Sequence, residues 1–294
     1  MKQCNDDRLI GRGTNIPLRR AAELLEVSVS GFYKWLNDED KEHRDGVIHT
    51  DEEVLVAIQE VIKDSCNNVP GAIRMHHELK NKGFRVSHRR LVSIMRKNGI
   101  YHKFHRKYVK TTDSNHNLAR ADDLVKRQFD SFKVNEAWCG DITYIPTEEG
   151  WLYLASVVDL GSRCLVGYKF GPTMDTNLIC DALMMAIRDE NPAFGTIFHS
   201  DQGSQYCSYQ FQELLSSVGF RCSMSRRGQC WDNAVAESFW SILKRECLPV
   251  NRKFTSRKEG ISKISNWLSY YNGFRPHSAL GMQSPYQYRK KISV

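Results

Sequence analysis

The 294-residue sequence has no apolar run approaching the ~18 residues that a membrane-spanning helix needs. Its first thirty residues also lack the apolar core of a secretion signal, so we expect neither a membrane anchor nor export. The nine cysteines are odd in number, and no two of them are spaced Cys-x-x-Cys. This pattern argues against a disulfide framework or a cysteine-rich zinc site and favours a reducing cytoplasm.

The remaining composition is that of a globular protein, with 41% hydrophobic and 26% charged residues, but the net charge of +8 is unevenly distributed. Residues 70–110 carry 12 lysines and arginines, five histidines and one acidic residue, Glu78. Residues 205–294 carry 14 basic residues against 5 acidic ones, whereas residues 1–69 and 111–204 are net acidic. Such basic stretches favour a polyanion, because each neutralised phosphate releases counterions. Solvated helix faces are the alternative, but they usually mix both signs.

Two segments have the spacing of a helix-turn-helix unit. In residues 17–36, Glu26 stands where such turns often carry glycine, and the surrounding chain is acidic, so a packing module and a DNA reader are equally compatible. In residues 69–100, Gly83 is expected to end one helix and Ser87 to begin the next. The outward face of that second helix carries four cations suited to a DNA backbone or major groove: Arg89, Arg90, Arg96 and Lys97.

From residue 137 the hydrophobic periodicity becomes that of β-structure. Three β-rich runs, separated by short turn clusters, predict an antiparallel meander over 138–145, 151–158 and 163–170. Helices and short strands then alternate: we predict helices at 175–190, 209–217, 232–247 and 257–272, and strands at 196–199 and 220–224. The expected fold class is α/β, a mixed sheet with flanking helices, preceded by a small all-α region.

Three acidic residues are placed where this architecture could bring them together. Asp141 lies within a predicted strand, Asp201 follows another strand, and Glu237 lies in the first turns of a helix, with 35 residues between it and Asp201. A carboxylate within a strand costs desolvation energy unless a cation occupies the site, and Mg²⁺ prefers carboxylate, water and phosphate oxygens. Lys244, seven residues after Glu237 on the same helical face, would contact phosphate there; a solvated surface stripe is the alternative.

Together these residues resemble the catalytic core shared by retroviral integrases and bacterial insertion-sequence transposases, the Asp-Asp-35-Glu group. The resemblance is strongest to the second-reading-frame product of two-frame insertion sequences. The segments that carry it lie between residues 138 and 288: WCGDITYI, VVDLGSRCLVGY, FHSDQGSQYCS, SRRGQCWDNAVAESFWSILKRE and YNGFRPHSALGMQSPYQY. The resemblance implies an RNase H-like fold in which Asp141, Asp201 and Glu237 are the catalytic metal ligands. It also implies Mg²⁺ as the cofactor, with Mn²⁺ as a substitute and two ions per site.

The resemblance further implies a polynucleotidyl transferase, a DNA transposase that cuts insertion-sequence ends and joins the freed 3′ hydroxyl to another phosphodiester. The expected partners are double-stranded DNA, both the terminal inverted repeats and the target, further copies of the chain, and the upstream-frame protein, separate or fused by frameshifting. We expect a bacterial cytoplasmic protein, associated with the nucleoid when it is bound to DNA. Two alternatives stay open: a DNA-binding regulator with an inert RNase H-like domain, and an RNase H-like nuclease that does not join strands.

Several further residues allow two interpretations. Arg226 and Arg227 precede the helix of Glu237 and are expected to hold DNA, with ordinary surface cations as the alternative. His199 either orients the substrate or is a hydrogen-bonded core histidine. Asn233 is a candidate for orienting substrate, although helix capping, by Asn233 or by Asp232, is the better expectation. Asp159, in the sequence DLGS, is expected to serve a turn rather than catalysis.

The predicted boundaries divide the chain into five parts. These are an N-terminal helical region (1–68), a basic helix-turn-helix region (69–110), a polar, partly helical connector (111–135), the RNase H-like catalytic core (136–250) and a basic C-terminal helix and tail (251–294). The tail motif at residues 271–277 either packs on the core or contacts DNA.

Overall fold

The computed structural model describes residues 28, 30–31, 49–66, 68–102, 121–226 and 230–292. Nearly all of the first helix-turn-helix candidate, at residues 17–36, therefore lies outside the described residues. Within the described ranges, no helix is both long and apolar enough to cross a membrane.

Three helices form a small unit at the start of the described chain. They are α1 (Asp51–Asp64), α2 (Ala72–Asn81) and α3 (His88–Lys97). Thr50 and Glu53 close a capping box on α1, and the Ser87 side chain caps α3 as predicted. Their apolar faces share one buried cluster that includes Val54, Ile58, Met75, Leu79, Leu91 and Ile94. The predicted boundary between residues 68 and 69 passes through this cluster, so we place α1 with the helix-turn-helix helices.

A five-stranded sheet forms the centre of the larger unit. Its strands are β1 (Ala137–Thr147), β2 (Gly150–Asp159), β3 (Leu165–Gly171), β4 (Ile197–Ser200) and β5 (Arg221–Met224). The spatial order is β3-β2-β1-β4-β5; β1, β2 and β3 pair antiparallel, whereas β4 runs parallel to β1 and β5 parallel to β4. The predicted meander and the α/β fold class are confirmed.

Helices cover both faces of the sheet. Because side chains alternate along a strand, Trp138 packs with helices α4 (Thr176–Glu190) and α5 (Tyr209–Ser217), while Cys139 packs on the opposite face. That opposite face is covered by α6 (Ala234–Cys247) and α7 (Arg257–Gly273). A final helix, α8 (Pro285–Ile292), contacts α7. The three acids predicted to meet therefore lie on a scaffold that is buried on both sides.

The C-terminal segment packs on the sheet. Asn272 accepts a hydrogen bond from the Leu165 backbone N–H (2.9 Å) and donates one to its carbonyl (2.8 Å), so the end of α7 extends the hydrogen bonding of β3. The predicted boundary between residues 250 and 251 thus separates elements that share one core. The connector prediction needs one correction: residues 121–135, its described part, form turns without a helix.

Candidate active site

Two of the predicted acids emerge side by side at one end of the sheet. The parallel strands β1 and β4 pair from Ala137 with Ile197 to Cys139 with His199. Asp141 and Asp201 each lie two residues beyond the last pair, where the strands separate. Paired residues of parallel neighbours point to the same face, here the face that α6 covers. In open α/β sheets, the carboxyl ends of parallel strands are the usual position for a ligand.

The side chain of Asp141 is held by two donors. Its Oδ1 accepts a hydrogen bond from the Ile142 backbone N–H (2.8 Å), and its Oδ2 accepts one from the indole Nε1 of Trp240 (3.0 Å). Trp240 is buried in α6, three residues after Glu237. Sequence reasoning missed this contact. The available signal was a tryptophan beside a catalytic candidate, because a buried indole N–H needs an acceptor.

The electrostatics of this pair are unfavourable without a cation. Burial raises the pKa of Asp141 to about 8, with the negative charge of Asp201 adding to the effect and Glu237 adding less. The two hydrogen bonds to Asp141 lower its pKa but do not offset burial. Burial, followed by the same two aspartates, also raises the pKa of the Tyr206 hydroxyl well above its ordinary value. Asp141 is a buried carboxyl group repelled by Asp201, and a divalent cation would stabilise its charged form.

Glu237 and Lys244 lie on α6 beside this pair. Glu237 is exposed in the first turn of the helix, and partial burial raises the pKa of its carboxyl group. The Lys244 Nζ lies 4.7 Å from the centroid of the Tyr144 ring. Burial lowers the pKa of Lys244, and the charge of Asp141 opposes that shift. The structure thus brings Asp141 and Asp201 together and leaves Glu237 exposed on the adjoining helix.

The donor set of the site fits a hard cation. Carboxylate oxygens are the ligands that Mg²⁺ prefers. Burial and the neighbouring Asp201 raise the pKa of Asp141, and a bound cation would oppose that shift. Across the part of the chain that is described, however, no three histidine, cysteine, aspartate or glutamate side chains are already gathered tightly enough to hold a metal ion. Two of the three predicted acids lie together, and Glu237 is exposed on the neighbouring helix.

The contacts of His199 fit one of its two predicted roles, whereas Asn233 makes no side-chain cap. His199 is fully buried, with Nδ1 2.9 Å from the Ser223 hydroxyl and Nε2 2.9 Å from the Asp232 carbonyl. Both ring nitrogens are used inside the core, so the core-histidine alternative describes it. Asn233 occupies the N-cap position of α6 without a side-chain capping bond, and its Oδ1 is buried without a partner. Neither side chain reaches the carboxylate pair through these contacts.

The cations before α6 have a partner that the sequence did not reveal. Asp232, a candidate helix cap, instead accepts hydrogen bonds from Arg226 (Nε, 3.0 Å) and Arg127 (Nε, 2.6 Å). The hydrogen bonds from Arg226 and, to a smaller extent, Arg127 hold the pKa of Asp232 well below its usual range. Burial acts in the opposite direction but does not offset them. Arg226 stays 62% exposed in this ion pair. Arg227 lies outside the described residues.

Three of the four predicted α3 cations face solvent. Arg89, Arg96 and Lys97 are exposed. Arg90 instead donates from Nε to Asp51 (2.8 Å) and from Nη2 to the His49 carbonyl (2.8 Å), which ties α3 to the start of α1. In the core, Asp159 is buried and accepts hydrogen bonds from the backbone of Asn135 and Ser162, the turn role expected for it.

Comparison with known proteins places these observations in a family. The integrase core domain matches residues 132–230 and 218–285, and an HTH-like domain matches residues 49–108. The chain is 38% identical over 270 residues to the insertion element IS600 uncharacterized 31 kDa protein of Shigella sonnei, covering 92% of this chain and 97% of that protein. It is 35% identical over 277 residues to transposase InsF for insertion sequence IS3A of Escherichia coli strain K12, covering 93% of this chain and 94% of that protein.

A solved structure that is similar to part of the chain is the HTLV-2 integrase catalytic core domain in complex with magnesium, in its trimeric form. It shares 18% sequence identity and a TM-score of 0.43, and the match covers 54% of this chain and 98% of that chain.

Proposed function

Because the chain belongs to the insertion-sequence transposases with an HTH-like domain and an integrase core, we propose that it cleaves and joins DNA strands with Asp141, Asp201 and Glu237 as its catalytic acids. One observation carries the proposal. Asp141 is buried and is repelled by the charge of Asp201 at the carboxyl ends of β1 and β4, where a ligand of an open sheet binds. The helix that carries Glu237 and Lys244 covers the same face of the sheet.

The three acids would hold Mg²⁺, with Mn²⁺ as a substitute and two ions per site. When bound, the metal supplies activation of the attacking oxygen and neutralisation of the leaving 3′ oxygen. Asp141 is held for this task by its hydrogen bonds from Ile142 and Trp240. Glu237, exposed in the first turn of α6, would be the third ligand.

The cations of the chain position the DNA. Lys244 interacts electrostatically with Asp141 and would neutralise a phosphate next to the scissile bond. The exposed Arg89, Arg96 and Lys97 of α3 would contact the groove or backbone of the terminal repeat. Arg226 keeps an exposed guanidinium while it binds Asp232 and, with Arg227, would hold the strand near α6.

The reaction also sets the partners. Two element ends and a target must meet, so the chain acts as a homo-oligomer on double-stranded DNA, with the upstream-frame protein or a frameshift fusion supplying further end recognition. This assembly would form on the nucleoid in the bacterial cytoplasm. The basic stretches that flank the acidic middle of the chain support a protein that organises DNA as well as cutting it.

The decisive experiment tests the acids separately from DNA binding. Duplexes carrying the inverted repeats that flank the gene are incubated with Mg²⁺ and wild-type protein, Asp141→Asn, Glu237→Gln or the surface control Asp181→Asn. We expect the first two variants to lose strand cleavage by roughly 10³-fold or more, since each removes charge from the reacting centre. Gel-shift affinity and thermal midpoint should stay near those of the wild type, and the control should cleave normally.

Three outcomes would contradict the proposal. Cleavage by Asp141→Asn at the wild-type rate would show that these acids are not catalytic. A wild-type protein that binds the ends but shows no metal-dependent nicking would support the inert regulator. Cleaved strands without branched or circular products would support a nuclease that does not join.

A further inference from the structure

A groove of about 900 Å³ lies between the three-helix unit and the catalytic core. One side is formed by the starts of α2 and α3, and the other by the outer face of α6 and the segment after α7. Its lining contains seven arginine and histidine side chains: Arg74, His88, His102, Arg163, Arg245, Arg275 and His277. The acidic side chain in the lining, Asp130, is already paired with Arg163.

We infer that this groove binds the phosphodiester backbone of a DNA strand, an inference that rests on the strand-transfer function proposed above. The groove is separate from the carboxylate pair: its lining includes neither Asp141, Asp201 nor Glu237.

Several residues that line the groove have buried nitrogens without hydrogen-bond partners. Arg74, whose side chain is 11% exposed, donates from Nη1 to Glu246 (2.9 Å), but its Nε and Nη2 have no partner. The Nε of Arg245 and the Nε2 of His277 are also buried without partners. Leaving such groups unpaired is costly, and here they all belong to residues that line one groove. Phosphate oxygens accept hydrogen bonds without donating any, so a phosphodiester suits the unpaired arginine nitrogens.

Positively charged side chains lie close together in the groove. Burial, opposed by Glu246 and reinforced by Arg275 and Arg74, lowers the pKa of Arg245. Burial and the charge of Arg275 lower the pKa of His277 to about 3. Glu246 pairs with both Arg74 and Arg275, and Asp130 pairs with Arg163. Among the described residues, the four arginines of the lining, Arg245 included, have only these two carboxylates as ion-pair partners, so the groove stays positive. An entering anion would relieve this repulsion.

The start of α2 adds to the same potential. Gly71 at its N-cap has no side chain to cap the first N–H groups, and the first turn of this ten-residue helix contains no acidic residue. Gly71, Ala72 and Ile73 all line the groove. Free N–H groups and the helix dipole favour an anion at such a position.

The location of the groove favours DNA over an acidic peptide. Ser238, Ile242 and Arg245 of α6 face the groove, while Glu237, Ser241 and Lys244 follow the helix roughly a third of a turn away. On the other side, the groove reaches His88, the first residue of α3. A strand leaving the catalytic acids would thus cross α6, enter the groove and continue to the cations of α3. The competing occupant is the acidic segment 36–45 of the chain, LNDEDKEHRD.

The test measures the salt dependence of DNA binding, which needs no cleavage. Arg245→Gln is compared with Arg188→Gln, a matched loss of one guanidinium at an exposed pair with Asp189 on α4. By fluorescence anisotropy with an end duplex between 50 and 200 mM KCl, we expect Arg245→Gln to reduce the slope of log K against log [salt] by about 1. Affinity at low salt should fall about threefold to tenfold. Arg188→Gln should match the wild type.

Duplexes with single neutral methylphosphonates locate the contact. At one or two positions the neutral linkage should weaken wild-type binding and leave Arg245→Gln unaffected. Arg245→Lys should restore the slope, and His88→Gln provides a second groove variant should Arg245→Gln lose its cooperative thermal unfolding. An unchanged slope in both groove variants overturns the inference. So does a synthetic 36–45 peptide that binds the wild type, fails to bind Arg245→Gln and leaves the DNA salt slopes equal.

The outcome is separable from that of the proposed function. Asp141→Asn should keep the full salt slope while losing cleavage. If the wild type binds with the expected slope but never nicks DNA, the strand-transfer proposal fails and the groove assignment remains.

Discussion

Two carboxyl groups of the core have opposite surroundings although each accepts a hydrogen bond from a buried tryptophan. Asp141 accepts from Trp240 (3.0 Å) and Glu246 from Trp267 (2.9 Å). Asp141 faces a second carboxylate, and burial and Asp201 raise its pKa to about 8. Burial also pushes the pKa of Glu246 upward, but the hydrogen bonds and charge of Arg275, together with Arg74, outweigh it and leave a pKa of about 2.

The two acids differ in the charge beside them: Glu246 is paired with arginines, whereas Asp141 faces another carboxylate. Glu246 of α6 forms ion pairs with Arg74 of α2 and with Arg275 after α7. The ionised carboxylate therefore connects the helix-turn-helix unit to the core. Asp141 instead accepts hydrogen bonds from Ile142 and Trp240, and a bound cation would compensate its charge. Burial alone does not identify a functional acid. The sign of the charges around it does.

The largest expected effect is on stability and concerns Glu246→Gln. The substitution leaves the Arg275 and Arg74 guanidiniums buried without a counterion, so we expect the free energy of unfolding to fall by about 3–5 kcal/mol. Urea unfolding followed by circular dichroism measures it. Asp181→Asn, which breaks an exposed pair with Lys169, is the control and should change stability little. Equal stability of Glu246→Gln and the wild type would show that the ion pairs of Glu246 do not stabilise the contact between the two units.

The next effect concerns the pH dependence of stability without metal, to which Asp141 and Glu246 should contribute in opposite directions. The native Asp141 carboxyl binds its proton up to a pKa of about 8, against an ordinary value of 3.8, so its contribution makes stability decline as the pH rises through this interval. Glu246 acts oppositely: its contribution is present above 4.5 and is lost as the pH falls toward about 2. Unfolding measured across this range in EDTA should lose the first slope in Asp141→Asn and the second in Glu246→Gln. Wild-type slopes in both variants would refute these assignments.

The smallest expected effect comes from exchanging the two tryptophans for phenylalanine. Trp240→Phe removes a hydrogen bond that lowers the pKa of Asp141, so the acidic limb of the cleavage pH–rate profile should move to higher pH. Its maximal rate should fall about tenfold as the carboxyl loses its orientation. Trp267→Phe is the matched control: it should lower the unfolding midpoint and leave the profile in place. If both variants shift the profile equally, Trp240 is not a positioning residue.

Much of the fold could be predicted because its signals are local. Alternation of apolar residues marked the strands of the meander, and α5 begins and ends as predicted, at Tyr209 and Ser217. The strand-embedded Asp141 and the residue after β4, Asp201, could be selected for the same reason. The role of α1 could not, because its burial depends on contacts with Met75 and Leu91 rather than on its own periodicity.

The candidate site was less predictable in its polar partners. Asp232 looked like a helix cap, yet it binds Arg127 from a segment 105 residues away. His199 looked able to face the substrate, but a parallel neighbour and the turn before α6 enclose its ring. Polar partners are chosen by whichever groups burial leaves unsatisfied, and a single sequence does not show which groups those are.

By itself, the sequence determined the strands, the helices, the spacing of the three acids and the basic stretches that flank them, since each depends on residue order within a short segment. Only the tertiary structure decided which charges compensate one another. Arg74 meets Glu246 across 172 residues, and Trp240 meets Asp141 across 99. These pairings depend on how separate elements pack, and they distinguish the ion-paired Glu246 from Asp141, which we propose for the reaction.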